Sequence, residues 1–193
     1  MRVSEETLAH LKRWEGLRLT AYPDPGSRHG EPWTVGYGHT SDAHMIVHKG
    51  LTITQHQADA ALAHDAGEAA SAILKMVKVP LTENQLGALV SFVFNVGAGA
   101  FRNSTLLRML NAGSYASVPG QLARWNKNDG RSMAGLTNRR AAESGLWVKG
   151  AFVAGRTVRV DHVREAEKNE HTMPVVLSSW WERLLFAIFG GGK

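Results

Sequence analysis

The chain contains no cysteine among its 193 residues. This absence excludes a disulfide framework, a cysteine nucleophile and a thiolate metal site. The chain also lacks repeats, low-complexity blocks and, at its start, the apolar run of a signal peptide. The first residues instead predict a helix with Ser4 as its N-cap. These features fit synthesis in a reducing cytoplasm without an export signal of the chain's own.

Acidic residues are fewer than basic ones, and the formal net charge is +5. Such a charge attracts a polyanion, which could be nucleic acid, an anionic membrane or the bacterial wall. Lys and Arg are scattered, without aromatic-basic interleaving or zinc-finger spacing, so we predict no nucleic-acid partner. The length suits one domain with an appendage and allows a sizeable core.

The most informative segment runs from Glu15 to His39. Apolar and polar residues alternate after Glu15, which predicts a short strand, and prolines turn the chain around Asp24. Val35 and Tyr37 alternate with glycines in a returning strand. A carboxylate at the end of a helix and another on an adjacent loop can face each other across a cleft. Acid/base cleavage of a glycosidic bond requires that arrangement.

This segment resembles the phage-type lysozymes, the endolysin family that includes the T4 and lambdoid phage enzymes. Their signature is a Glu, then an Asp, then a Thr in a T-x-G-x-G-H context. Three further stretches are similar to the family, at residues 89–101, 104–113 and 135–147. The resemblance implies an α+β, lysozyme-like fold. In that fold a long helix joins a small β-rich lobe to a larger all-helical lobe, and the substrate cleft lies between them.

The resemblance also implies catalytic roles. Glu15 is the expected general acid, because a helix C-terminus and apolar neighbours favour its protonated form. Asp24 and Thr34 are expected to position water, or Asp24 to stabilise positive charge on the sugar. The loop between Asp24 and Thr34 is longer than is usual in the family. Glu31 inside this loop is a rival second carboxylate, although the spacing from Glu15 favours Asp24.

Six further residues are expected to support the site or the substrate, namely Gly36, Tyr37, His39, Asp65, Asn95 and Arg139. A glycine at 36 lets substrate approach the backbone. The resemblance implies an ion pair between His39 and Asp65 and places Arg139 near Glu15 across the cleft. A buried Asn95 needs a hydrogen-bond partner, and a role in the core is favoured over substrate contact.

A metal site is the alternative interpretation of His39. His44 and His48 follow it and are four residues apart, and His56 is not far along the chain. No H-E-x-x-H or carboxylate pattern accompanies them, so we predict no metal and no cofactor.

Apolar periodicity predicts the helices. They are expected at about 4–14, from Thr54 to about Val77, at 86–96, at 104–111, at 116–125 and at 137–147. Capping-box patterns begin at Thr54 and Thr82. Residues 40–51 are expected to be irregular or to form a short extra strand.

Composition divides the chain into a lysozyme-like domain at 1–150, a polar linker at 151–173 and an amphipathic helix at 174–193. The linker is expected to contain a strand at 151–160 or a short helix at 161–170. The final helix is short and charged for a membrane span. Its paired tryptophans favour an interfacial helix that places residues 174–189 on an anionic membrane, and a helix docked on the protein's own surface is the alternative.

The function expected from the resemblance is that of a monomeric endolysin. It hydrolyses the β-1,4 bond between N-acetylmuramic acid and N-acetylglucosamine in peptidoglycan and so lyses the host. By family analogy it waits in the host cytoplasm until a holin releases it to the periplasm. Two alternatives are a lytic transglycosylase, which needs the Glu alone, and a catalytically idle wall- or membrane-binding protein. The presence of Asp24 and Thr34 favours hydrolysis.

Overall fold

The computed structural model describes residues 2–24, 31–128, 130–152 and 157–158. Helices dominate, and three small antiparallel sheets accompany them, which confirms the predicted α+β class. The backbone divides into two compact units; of the described residues, those up to Glu68 belong to unit 1 and those from Ala69 onward to unit 2.

Unit 1 carries the hairpin that the sequence predicts. Helix α1 spans Glu5–Glu15, and three strands follow: β1 (Arg18–Pro23), β2 (Trp33–Gly36) and β3 (His39–Thr40). The strands form one antiparallel sheet in the order β1-β2-β3. The returning strand ends at Gly36, earlier than predicted, because the chain turns at Tyr37 before β3 begins.

Local capping explains where α1 begins and ends. The Ser4 side chain accepts a hydrogen bond from the Thr7 backbone at 3.2 Å, as expected of an N-cap. Gly16 then adopts a φ of 66°, a conformation that glycine reaches at little cost, and redirects the chain into β1.

The long helix α2 spans Gln55–Met76 and continues from unit 1 into unit 2. Its predicted capping box is present, because the Gln57 side chain accepts from the Thr54 backbone at 2.8 Å and the Thr54 hydroxyl accepts from the Gln57 backbone at 3.2 Å. The predicted apolar stripe is buried at Ala58, Leu62, Ala66, Ala69 and Ile73.

Unit 2 is mainly helical. Its helices are α3 (Glu83–Val96), α4 (Ala98–Arg102), α5 (Thr105–Asn111), α6 (Val118–Ala123) and α7 (Ala134–Phe152), with a 3₁₀ turn at Tyr115–Ser117. Its short strands are β4 (Leu81–Thr82), β5 (Lys127–Asn128), β6 (Arg131–Ser132) and β7 (Thr157–Val158). Helix α3 is buried on nearly every side, as its apolar sequence predicts, and packs against α7.

Three boundaries in unit 2 differ from the sequence prediction. The helix predicted to end before Gly97 does end there. The chain then forms a second helix, α4, immediately after Gly97, and this helix was not predicted. The predicted 116–125 helix is a 3₁₀ turn followed by the shorter α6. Helix α7 begins before residue 137 and continues past the expected domain boundary at 150.

The region expected to be a linker contains a strand, because β7 pairs antiparallel with β4. The predicted short helix at 161–170 and the amphipathic helix at 174–193 lie outside the described residues. Within the described ranges, no helix combines the length and the apolar character that crossing a membrane requires.

Candidate active site

Glu15 is the last residue of α1 and is half-buried. The unpaired carbonyls of a helix C-terminus disfavour a negative charge at this position. The Glu15 side chain lies at the start of the turn into β1, because the helix ends here and Gly16 redirects the backbone. Its role as the general acid stays a prediction.

Asp24 follows β1 directly and is buried, with only 4% of its surface exposed. Its backbone N–H donates to the carbonyl of Pro32 at 3.0 Å, which continues the hairpin one step beyond the paired strands. Glu31, the rival carboxylate, is exposed. The burial of Asp24 and the exposure of Glu31 favour Asp24 as the second carboxylate.

Thr34 lies on β2 directly opposite Tyr22 of β1. Side chains alternate along a strand, so Tyr22 and the residue two positions later, Asp24, point to the same face, and a directly paired residue shares that face. If this alternation continues one residue past β1, where the Asp24 backbone still bonds to Pro32, we expect Asp24 and Thr34 on one side of the hairpin.

The hydroxyl of Thr34 is buried and lacks a hydrogen-bond partner among the described residues. A buried polar atom without a partner is unusual in a folded protein and calls for a specific explanation, such as a water or a ligand. An ordered water or a substrate group would satisfy this oxygen.

Tyr22 lies close enough to both candidate carboxylates to respond to their charge, and the sequence did not indicate this. Burial is the main factor that raises the pKa of its phenol, the charge of Arg18 opposes the rise, and the charges of Asp24 and Glu15 add to it. The Arg18 guanidinium stacks over the Tyr22 ring, with its central carbon 4.3 Å from the ring centroid. Both candidate catalytic carboxylates thus lie within electrostatic range of one phenol.

Gly36 has a φ of 66°, and a Cβ atom there would lie 3.3 Å from the Cβ of Ala58 on α2. This contact and the backbone conformation explain why glycine is needed. The residue that leaves no room for a side chain at Gly36 is Ala58 of the protein itself. The expected approach of substrate to Gly36 stays a prediction.

Tyr37 is buried and belongs to a polar network between α1 and α2. Gln55 donates to the Tyr37 hydroxyl at 3.0 Å and to Asp59 at 2.9 Å. Lys12 pairs with Asp59 at 2.8 Å, one helical turn before Glu15. The network therefore supports the end of α1 from the side of α2.

The predicted contact between His39 and Asp65 is present, with Nδ1 of the imidazole 3.0 Å from Oδ2 of the carboxylate. Burial opposes protonation of His39. The hydrogen bond and charge of Asp65, helped by Asp42 and Glu68, outweigh it and raise the pKa of His39 above 6.5. The pair joins β3 to α2.

Unit 2 contains a buried polar group around Glu143, which sequence reasoning missed. The Glu143 carboxylate accepts from Ser91 at 2.8 Å, Arg139 at 3.3 Å and Arg140 at 3.0 Å. Burial raises the pKa of Glu143, while the two guanidinium groups and Ser91 oppose the rise. Buried arginines at 139 and 140 indicate such a partner, because these side chains are seldom buried without one.

Two predicted residues take part in this group. Arg140 donates to the Asn95 side chain at 2.8 Å, which gives Asn95 the partner that a core role requires. Arg139 also donates to the carbonyl of Ser91 at 3.0 Å. The expected approach of Arg139 to Glu15 would join the two units and stays a prediction.

A sequence model of the phage lysozyme family matches residues 12–143. The chain is 42% identical over 151 residues to an endolysin of Acyrthosiphon pisum secondary endosymbiont phage 1, in an alignment that covers 76% of this chain and 98% of the relative.

Two solved structures show the same fold. The muramidase domain of SpmX from Asticaccaulis excentricus superposes with a TM-score of 0.67 at 35% identity, over 76% of this chain and 97% of that domain. A crystal structure of a P22 lysozyme mutant gives the same TM-score and identity, over 77% of this chain and 99% of the lysozyme. These similarities confirm the predicted lysozyme-like fold.

Proposed function

The chain belongs to the phage lysozyme family, and on that premise we propose that it hydrolyses the β-1,4 bond between N-acetylmuramic acid and N-acetylglucosamine. Membership of the family makes it a glycoside hydrolase and an endolysin whose substrate is bacterial peptidoglycan. The specific bond and the residues that cleave it are the proposal.

Glu15 is the general acid in this mechanism. Its protonated carboxyl group gives a proton to the glycosidic oxygen as the bond to the anomeric carbon breaks. Positive charge then develops on the sugar ring, and the Asp24 carboxylate stabilises it. Asp24 and Thr34 together position the water that attacks the anomeric carbon, and the Asp24 carboxylate accepts the proton that this water loses. Exchange with solvent then returns Asp24 to its ionised form and Glu15 to its protonated form.

The observation that carries the proposal is the Thr34 hydroxyl. It is buried, lacks a partner among the described residues and belongs to the strand that pairs with β1, which Asp24 directly follows. A water held between them has an acceptor in the carboxylate and a second partner in the hydroxyl. Hydrolysis needs a water at this point of the site, whereas a transglycosylase does not.

Mass spectrometry of fragments released from purified peptidoglycan tests the proposal. Hydrolysis gives reducing muramic acid ends, and we expect these. A transglycosylase would give anhydro ends, and a protein that only binds the wall would release no fragments. Either of those results would contradict the proposed hydrolysis.

Location and lysis follow from the same proposal. We propose that the enzyme accumulates in the host cytoplasm and acts in the periplasm after a holin opens the inner membrane, and that it works as a monomer.

We also propose that residues 174–189 bind an anionic membrane surface. On a helix, Trp180 and Trp181 share an apolar stripe with Leu177, Leu184, Leu185 and Ile188. Such a stripe, on a chain with a net charge of +5, suits the surface of an anionic membrane.

A further inference from the structure

Unit 1 contains imidazole and carboxylate groups that the proposed hydrolysis does not use. His39 belongs to β3, Asp42 lies in the loop that follows, and His64 and Glu68 lie on α2. These four residues are called the imidazole cluster below. All of them precede Ala69 and lie in the same compact unit.

The Asp42 carboxylate lies between the two imidazoles of the cluster. Its Oδ1 is 3.7 Å from Nε2 of His39, and its Oδ2 is 3.4 Å from Nε2 of His64. The same nitrogen of His64 is 3.7 Å from Oε1 of Glu68, one helical turn away. Zinc binds nitrogen and oxygen at about 2.0–2.1 Å, which separates neighbouring ligand atoms of a tetrahedron by about 3.3 Å. These neighbouring separations are close to that value. The ligand atoms of His39, Asp42 and Asp65 lie within 4.8 Å of one another, and so do those of His64, Asp65 and Glu68.

His39 already has the orientation of a metal ligand. Its Nδ1 lies 3.1 and 3.0 Å from the two oxygens of Asp65. Its Nε2 faces Asp42, is buried and has no hydrogen-bond partner in the described part of the chain, although the side chain is only 5% exposed. Metal-bound histidines commonly donate one ring N–H to a carboxylate and present the other nitrogen to the ion.

Asp42 is also fixed in place. The backbone N–H groups of His44 and Met45 both donate to its Oδ1 at 2.7 Å, while Oδ2 faces His64. The side chains of Asp42 and His64 are partly exposed, so an ion from solvent can reach them. The exposed His44 packs edge-on against His64, with ring centroids 4.4 Å apart, and limits its rotation.

We propose that the imidazole cluster binds one divalent transition-metal ion, with Zn²⁺ the best match to its imidazole and carboxylate ligands. The ion joins β3, the loop after it and α2, and it stabilises unit 1 without entering the hydrolytic reaction. No single spaced motif marks this site in the sequence, because its ligands come from three separate elements, and for that reason no metal was predicted.

Isothermal titration of the EDTA-treated full chain with ZnCl₂ tests the site, with MgCl₂ as a comparison. We expect one zinc ion per chain, a melting temperature that rises with zinc concentration, and no response to magnesium. Substitution of cobalt for zinc should give the visible absorption of a tetrahedral site.

Variants locate the ion. Asp42→Asn and His64→Gln should each weaken zinc binding by more than about tenfold. His56→Gln is the matched control, because His56 is exposed on the same helix and outside the imidazole cluster. Zinc binding that is equal in all three variants would show adventitious binding to surface histidines and overturn the proposal.

Absence of zinc binding by the wild-type chain would overturn it as well. If a variant fails to fold, the cobalt spectrum of the wild-type chain decides, because a spectrum without tetrahedral bands contradicts the site. None of these measurements depends on peptidoglycan hydrolysis.

Discussion

Glu15 is the first residue to test, because a glutamine at this position has almost the same shape but no acidic proton. Glu15→Gln should lower lytic activity by at least about 100-fold, because the amide cannot donate a proton to the leaving oxygen. Turbidity loss of a peptidoglycan suspension measures the activity. The melting temperature should change little. Retention of more than about a tenth of wild-type activity would exclude Glu15 as the general acid.

The second carboxylate is tested by a matched pair of substitutions. Asp24→Asn should reduce lytic activity about as strongly as Glu15→Gln, since charge stabilisation and water positioning are both lost. Glu31→Gln should have a mild effect, because Glu31 is exposed whereas Asp24 is buried. The reverse order, measured on the same suspension, would make Glu31 the functional carboxylate.

Substitution of Thr34 should lower lytic activity without lowering the stability of the fold. Thr34→Val keeps the branched shape and removes a buried hydroxyl that has no partner among the described residues. Thermal unfolding should therefore show equal or greater stability. Lytic activity should fall about 10- to 100-fold because the attacking water loses a guide.

The exposed Thr20→Val, in the same hairpin, is the matched control and should leave activity unchanged. A Thr34→Val variant with normal activity would remove Thr34 from the mechanism. A large loss of stability would instead give the hydroxyl a structural role.

At the scale of elements, the pair between β3 and α2 makes stability depend on pH. The pKa of His39 is raised in the folded protein, so the pair's contribution is fully present below about pH 6.5 and is lost as pH rises through the folded pKa. Asp65→Asn should therefore reduce the free energy of unfolding more at about pH 5.5 than at about pH 8.5.

Urea unfolding in buffer with EDTA measures this difference without metal binding. His39→Ala should also lower the melting temperature without abolishing activity, since the pair supports the fold. A stability difference between wild type and Asp65→Asn that is the same at both pH values would contradict the ionic contribution.

Local signals predicted these elements well. Ser4, Thr54 and Thr82 begin helices as their capping patterns indicate, because a cap depends on residues only three apart. The unexpected α4 shows the limit of such reasoning. Gly97 has a φ of 85° and interrupts the helix, but tertiary packing then buries Phe101 and restores helical backbone around Gly99.

The candidate site shows the same limit. Glu15, Asp24 and Thr34 follow one another closely, so their motif could be recognised from the sequence. Tyr22 and Glu143 could not, because the burial of their side chains and the contact of Glu143 with Ser91 depend on tertiary packing. The requirement for Gly36 likewise depends on Ala58, which is distant in sequence.

At the scale of the whole molecule, the chain combines a basic net charge with an amphipathic segment beyond the family core. Deletion of residues 174–193 should leave hydrolysis of isolated peptidoglycan nearly unchanged, since Glu15, Asp24 and Thr34 lie within residues 12–143, which match the family model, and the deleted segment lies beyond them. The same deletion should abolish co-sedimentation with anionic liposomes, because the tryptophans and the apolar stripe supply most of the membrane affinity.

Two double variants identify the face of the segment that binds. Replacing Trp180 and Trp181 with serine should reproduce the loss of liposome binding, while replacing Ser178 and Ser179 with alanine, on the opposite face, should not. Neutral liposomes should bind the full chain less than anionic ones, because the net charge of +5 no longer contributes. If the full chain ignores both kinds of liposome and the deletion instead lowers the melting temperature by several degrees, the segment stabilises the fold and the membrane proposal is wrong.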